Sequence, residues 1–372
     1  MHGWTGKILN VDLTSGRIWR SNIPEHFLHE YLGGRGLGVR LMRGAYRLDT
    51  FDPDMPLIFA VGPLCGTQAP TAARLAVVSR SPLTGTIYDC SAGGRFAWRL
   101  KGAGIDALRI IGRSATPTVL SITGETAELL PAGDLWGKRV KETVSLLSGR
   151  GSVAAIGPAG ENGVLFANIM MGEGNSVGRG GLGAVMGAKG LKAIAVDADA
   201  RTPLADPARF EHARADVMRL FRASPVIFGE LGIAEFGTPA LVDLMRQRRM
   251  APTENFRKTV FAASDNYSGP AIKRDFQAKK DGCYGCPIQC KKKHPTRRAS
   301  SRIRDGLAFR RTERHCRSGG HCPVEHALQR AGDGYDLGCR YPGRMGRGDW
   351  AFPRSRGAVP PAGSDRLSPG RR

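Results

Sequence analysis

Pro56-Leu57-Ile58-Phe59-Ala60-Val61-Gly62-Pro63-Leu64-Cys65-Gly66-Thr67-Gln68-Ala69-Pro70 turns from an apolar run into a loop punctuated by glycine and proline. A short apolar run closed in this way reads as a strand entering a turn. Outward from it lie three more such runs: Arg74-Leu75-Ala76-Val77-Val78-Ser79, Ala107-Leu108-Arg109-Ile110-Ile111-Gly112 and Ser152-Val153-Ala154-Ala155-Ile156-Gly157. Nearer the start, residues 6–13 alternate apolar and polar, Thr14-Ser15-Gly16 supplies a turn, and Arg17-Ile18-Trp19 resumes the pattern, which predicts a hairpin. Helical stretches fall between the runs, as over 137–147. The first 200 or so residues therefore read as an α+β domain.

Two glycine clusters resemble each other, Gly33-Gly34-Arg35-Gly36-Leu37-Gly38 and Gly178-Arg179-Gly180-Gly181-Leu182-Gly183. An internal duplication would leave such a trace, and so would chance in a chain with 50 glycines. The pattern changes after residue 200. Asp206-Pro207 forms a cap and first-turn pair, followed by Phe210, Ala213, Val217, Leu220 and Phe221 at helical spacing. The expected division is 1–202, an α+β domain; 203–293, the start of a helical domain; and 294–372, an arginine-rich tail without sustained period and hence disordered.

A formal net charge of +22 would ordinarily suggest a nucleic-acid partner. Its distribution argues otherwise, because residues 294–372 hold 17 Arg, no Lys and seven acidic residues, a composition unlike the rest. There is no long apolar run, and the start lacks a basic segment followed by an apolar one, so the expected location is cytoplasmic, away from membranes. Of eight cysteines, at 65, 90, 283, 286, 290, 316, 322 and 339, three fall within eight residues. In a cytosolic chain that density points to a metal or redox site rather than to disulfides.

Cys283-Tyr284-Gly285-Cys286-Pro287-Ile288-Gln289-Cys290 could bring thiolates from one turn onto one metal centre. An iron–sulfur cube takes four cysteines, so three local ligands call for a fourth from elsewhere. A zinc site completed by Cys316, His321 or Cys322 is the competing reading, and with the arginine tail it would make a nucleic-acid-binding zinc protein. Spacing alone leaves both open. Lys291, Lys292 and Lys293 could lower thiolate pKa values or meet an acidic electron carrier, or they could be a solvated chain end.

Reading the cysteines with the upstream motifs changes the balance. Residues 33–38, the 62–70 segment with Arg74, Ser81-Pro82-Leu83-Thr84-Gly85, Ile156-Gly157-Pro158-Ala159-Gly160-Glu161-Asn162, residues 178–187 and the cysteine motif follow one another as in the aldehyde:ferredoxin oxidoreductase family, which the chain resembles up to Lys293. The resemblance implies a duplicated α+β base for a tungsten (or molybdenum) ion held by two pterins, with helical domains above it. It also implies an adjacent 4Fe-4S cluster, oxidation of aldehydes to carboxylic acids, and ferredoxin or a similar electron acceptor. A homo-oligomer and no nucleic-acid partner complete the expectation.

Carried over by position, Cys283, Cys286 and Cys290 would be cluster ligands. Arg74, Ser91, Ala92, Gly93, Gly94, Ser176, Val177, Gly178, Arg179 and Gly180 would contact the pterins and their phosphates. The glycines suit close backbone approach to a ring or anion, and Arg74 suits a phosphate. Ser91 stands where the family usually has an asparagine that helps hold a magnesium ion between the pterin phosphates. No catalytic acid or base can be assigned in this chain.

The motifs end at Lys293. Back-translated with suitable codons and shifted by one base, the tail segment 327–339 reads LCNELGMDTISA, which resembles a segment expected in the family some distance past the cluster cysteines. A change of reading frame shortly after Lys293 is the expectation this raises. The chain would then be truncated and is expected to be inactive as it stands, and Cys316, Cys322 and Cys339 would be accidental.

Overall fold

The expected hairpin is present as β1 (Lys7–Asp12) and β2 (Ile18–Asn22), antiparallel with Leu9 opposite Arg20. Asp12 shapes its turn by accepting from the Thr14 N–H at 2.9 Å, and Gly16 takes a φ of 72°. The computed structural model describes residues 2–293 except 173, 252, 254–256, 262, 263 and 278; the tail, with Cys316, Cys322 and Cys339, lies outside the described residues.

Helices α1 (Glu25–Tyr31) and α2 (Gly34–Leu41) lead into a meander of β3 (Leu57–Val61), β4 (Arg74–Arg80) and β5 (Ile87–Gly93). Helix α3 (Phe96–Gly102) then returns the chain to β6 (Ala107–Ile111), which lies parallel to β1 and antiparallel to β3. The sheet order is β2-β1-β6-β3-β4-β5.

The same path is repeated. The second pass runs β7 (Thr118–Thr123), β8 (Thr126–Pro131), α4 (Val140–Leu146), β9 (Ser152–Ala155), α5 (Pro158–Glu161), β10 (Ile169–Met171), β11 (Asn175–Val177), α6 (Leu182–Ala188) and β12 (Leu191–Asp197). Its order, β11-β10-β9-β12-β7-β8, matches the first sheet strand for strand when each number is raised by six. Again the last strand is parallel to the first and antiparallel to the third.

Register carries the match to single residues. Ala107 lies opposite Ala60, Ala60 opposite Ala76, and Ala76 opposite Ser91. In the second sheet Ala193 lies opposite Ala155, Ala155 opposite Met170, and Met170 opposite Ser176. Ser91 and Ser176 are therefore equivalent positions, as are Val61-Gly62-Pro63 and Ile156-Gly157-Pro158. The duplication is real, but the two glycine clusters are not its trace. Residues 33–38 cap and begin α2, after the second strand of their sheet, whereas 178–183 follow the fifth strand of theirs.

Alternation along the strands makes three apolar layers. Leu9, Phe59, Val61, Leu75 and Leu108 of the first sheet share one core with Leu120, Ile156, Val177, Ile194 and Val196 of the second. Phe96, Ala97 and Leu100 of α3 and Leu182 and Met186 of α6 fill that same core, so the two equivalent helices pack between the sheets. The opposite face of the first sheet, with Ile58, Ala60 and Val78, is covered by Leu28 of α1 and Leu37 of α2. The outer face of the second, with Val153, Ala155 and Ala193, is covered by Val144 of α4 and Leu147 at its end. Each fully buried Leu, Ile, Val or Phe contributes about 1.5–3 kcal/mol. The shared layer has the most of them, so it holds the two halves together as one body.

Beyond β12 the chain becomes helical. Asp206 caps α7 (Pro207–Ala223) by accepting from the Arg209 N–H at 2.9 Å, with Pro207 in the first turn as the sequence predicts. None of its residues is fully buried, and Leu220 is 68% exposed, so its apolar stripe lies at the surface. Then follow α8 (Pro225–Phe228), α9 (Ile233–Phe236), α10 (Val242–Gln247), α11 (Gly269–Phe276) and a hairpin of β13 (Lys279–Asp281) and β14 (Lys291–Lys293).

Candidate cofactor and cluster-ligand site

The two segments expected to contact the pterins occupy the same register in the two sheets. Ser91-Ala92-Gly93 ends β5, and Ser176-Val177-Gly178 ends and follows β11, each leading into the helix buried between the sheets. Both strands are sheet edges, and they meet. The Asn175 side chain lies 2.7 Å from where a Cβ on Gly94 would stand, and the Tyr88 ring crowds the corresponding point on Gly180. Gly94 has a φ of 118°, which other residues rarely adopt.

Arg74 opens β4 opposite Gly93 and is exposed. Its Nη2 donates to the Ser91 carbonyl at 3.4 Å, which leaves the rest of the guanidinium fork available for an anion. Arg179 is also exposed, whereas Gly180 is buried. At Gly178 the Cβ position is met only by the Ser176 side chain, its Oγ at 3.0 Å. At Gly62 nothing lies within 4 Å of that point. A glycine backbone left uncovered in this way fits a planar ring or a phosphate; Gly180 and Gly181 instead pack against Tyr88 and the Leu165 carbonyl.

The cysteine loop docks on this seam. The Tyr284 N–H donates to the Gly94 carbonyl at 3.1 Å, and Cys283 Sγ stands 2.6 Å from where Gly93 would carry a Cβ. Any side chain at 93 would occupy the place of that thiol. Within the loop the Cys286 N–H donates to the Cys283 carbonyl at 3.1 Å, and Gly285 turns with a φ of 63°. Strands β13 and β14 bracket the loop, and the buried Lys292 ammonium donates to the Ala234 and Gln289 carbonyls at 2.9 and 3.1 Å. The ring of Tyr284 stacks on Trp98 of α3. Beside the loop is a cavity of about 360 Å³ lined by Arg95, Lys280, Cys283, Cys286 and Gln289.

Cys283 and Cys286 are half-buried, Cys290 is exposed, and all three are free thiols. Among the described residues no three His, Cys, Asp or Glu side chains converge on a single metal ion. A cube takes one thiolate at each iron, so its donors are spread more widely than those of a lone ion, and three thiols along one loop fit that donor set in chemistry. Cys65 plays no part: it is buried, and burial pushes its thiol up to about 12, against the smaller pull of Lys101.

Sequence reasoning singled out Arg74, the two glycine-containing segments and the cysteines, which the fold gathers in one region. It missed Trp98, Tyr284 as a contact residue, and Arg95. Trp98 sits in a helix with no quoted motif, so only its packing reveals it.

Residues 8–198 match the family model described as aldehyde ferredoxin oxidoreductase, N-terminal domain. Residues 212–313 match the one described as aldehyde ferredoxin oxidoreductase, domains 2 and 3, which runs past Lys293, where the quoted motifs end. The chain is 39% identical over 297 residues to the tungsten-containing aldehyde ferredoxin oxidoreductase of Pyrococcus horikoshii, covering 78% of this chain and 49% of that protein. Against its namesake from Pyrococcus abyssi the identity is 40% with the same coverage. The chain spans about half the length of the curated relatives it matches. Among solved structures it resembles the active site complex BamBC of benzoyl coenzyme A reductase in complex with 1,5 dienoyl-CoA. That likeness has a TM-score of 0.72 and 29% identity, over 84% of this chain and 50% of the other. These matches do not favour the zinc-containing nucleic-acid reading, which leaves the ordered upstream motifs unexplained. The repeated six-stranded sheets, the order of the motifs and both family matches agree: the chain belongs to the aldehyde ferredoxin oxidoreductase family.

Proposed function

We propose that this chain forms the cofactor base of an oxidoreductase that converts aldehydes to carboxylic acids and delivers the electrons to ferredoxin or a similar acceptor. A tungsten (or molybdenum) bis-pterin, when bound, supplies the two-electron oxidation, aldehyde plus water giving carboxylate, three protons and two electrons, and a 4Fe-4S cluster passes the electrons on singly. Arg74, Ser91, Ala92, Gly93 and Gly94 would hold one pterin phosphate, and Ser176, Val177, Gly178, Arg179 and Gly180 the other. Ser91, where the family usually has asparagine, would offer a magnesium ion between those phosphates a shorter hydroxyl in place of an amide oxygen. Cys283, Cys286 and Cys290 would be cluster ligands, with the fourth in sequence that this reading frame does not reach.

The observation that carries this reading is the seam itself: Arg74, Gly93 and Cys283, far apart in sequence, are neighbours within a family-matched fold. A fixed, charged and glycine-lined base that orients a flat cofactor beside a thiolate cluster is what electron transfer between them requires. Among the described residues no helix is long and apolar enough to cross a membrane, and we place the enzyme in the cytoplasm. A homo-oligomer and the absence of a nucleic-acid partner belong to the same proposal. So does the change of frame after Lys293, which sequencing the gene across codons 290 to 315 tests directly.

Anaerobic production in a tungstate-supplied host, followed by metal analysis, tests the function. The expected result is about four irons per chain with absorbance near 400 nm, tungsten or molybdenum bound, and, once the reading frame past Lys293 is restored, aldehyde-dependent reduction of a ferredoxin. Stoichiometric zinc without iron would overturn it.

A further inference from the structure

Besides its contacts at Gly93 and Gly94, the cysteine loop meets the cofactor base through an aromatic pair. Trp98 and Tyr284 stack with ring centroids 4.0 Å apart and planes 3° from parallel, although 186 residues separate them. Trp98 does not reach Tyr284 as a loose side chain. The Arg99 guanidinium lies 4.6 Å over the Trp98 ring, and Arg99 Nη1 donates to Asp197 Oδ1 at 3.0 Å, at the end of β12. A flat ring has two faces, so with Tyr284 on one the guanidinium takes the other. The indole is thereby held from below by the second sheet and presents a fixed surface to the loop. Neither ring is fully buried, so the stack adds little to the core.

The stack lies next to a thiol. Tyr284 follows Cys283 directly, and its N–H is the one that donates to Gly94. The far end of the loop is tied independently by Lys292. We propose that Trp98 is a positioning residue for the ligand loop. Its ring fixes Tyr284, and through Tyr284 it holds Cys283 against Gly93 and sets the approach of Cys286. This deepens the cluster reading above and rests on it for the identity of the metal group.

The test compares the full chain, anaerobically purified, with Trp98→Ala, Trp98→Phe, Tyr284→Ala and Tyr284→Phe. Two readouts are taken: the rate at which a chelator removes iron from the holo form, and the rate at which iodoacetamide labels Cys283 in the metal-free form, by peptide mass. Loss of a stacked aromatic pair predicts that both alanine variants raise both rates roughly three- to tenfold. The phenylalanine variants, which keep a ring to stack, should stay within about twofold of wild type on the same scale, and the cluster's midpoint potential should move only in the alanine pair. If Trp98→Ala fails to fold, Tyr284→Ala against Tyr284→Phe decides on its own, since Tyr284 lies in the loop outside the sheets. Labelling and iron-release rates that do not change in the alanine variants overturn the proposal, as does a phenylalanine variant as defective as its alanine counterpart. A wild-type chain that binds no iron overturns the cluster reading instead, while Cys283 labelling still judges the role of Trp98.

Discussion

Asp106 and Lys192 hold the same position in the two halves of the fold and carry opposite charge there. Each directly precedes the alanine, Ala107 or Ala193, that lies between the first and third strands of its sheet, and each is completely buried. Asp106 pairs with Lys101 of α3 and accepts the N–H groups of Thr5 and Gly6 at 2.9 and 2.8 Å. Lys192 pairs with Glu161 of α5 and donates to the Lys138 carbonyl at 2.7 Å. The duplicated framework thus kept a buried charge at this point but not its sign. Removing one member of a buried pair strands the other, which costs about 3–5 kcal/mol. Asp106→Ala and Lys192→Met should each lower the unfolding free energy by about that much in urea titrations; a loss under about 1 kcal/mol would mean that water reaches the stranded partner.

Gly94 combines a φ of 118° with the Asn175 side chain at its Cβ position. Gly94→Ala should cost about 1–3 kcal/mol and loosen the meeting of β5 with β11. Hydrogen exchange of amides at 91–94 and 175–178 reads this: protection should fall in both segments together. A loss confined to one of them would show that the edges are independent.

Lys189 is buried and donates to the Pro53 and Gly112 carbonyls at 2.8 and 3.2 Å. Burial pushes its ammonium down to about 8, with Asp54 opposing. Above pH 8 the folded chain releases a proton that the unfolded chain keeps until about pH 10.4, so in that window the unfolded state binds more protons and stability rises with pH. The stability of wild type minus that of Lys189→Met should therefore increase between pH 8 and pH 10 and stay level below pH 7. A difference that is flat across the whole range would place the ammonium in contact with water.

Cysteine reactivity should follow position. At pH 8 the exposed Cys290 of the metal-free chain should be alkylated promptly, whereas Cys65, buried and with its thiol pushed up to about 12, should react only on unfolding. Peptide mass mapping over time gives the order, and early labelling of Cys65 would show that the core around Phe96 and Lys101 opens readily.

Some of this was legible in the residues and some was not. The runs at 56–62, 74–79, 107–112 and 152–157 became β3, β4, β6 and β9 because a short apolar stretch closed by a breaker has few other folded fates. Strands β10 and β11, at three residues each, show no period long enough to read; they are strands because neighbours pair with them. Strand β5 runs through Asp89, Ser91 and Gly93, residues with little strand preference, and is held in place by seven register pairs with β4.

Local chemistry alone determined the α+β class, the capped start of α7, the cysteine loop as a ligand candidate and the order of motifs that identifies the family. These depend on neighbours a few residues apart, which the chain carries wherever it goes. Tertiary structure decided the rest. The duplication lies in the equivalence of Ser91 with Ser176, not in the look-alike glycine clusters, because register is a relation between strands and strands choose partners only on folding. Likewise the meeting of Cys283 with Gly93, and of Tyr284 with Trp98, needs two sheets to share one core first. Only then does a loop nearly 200 residues downstream find a surface that fits it.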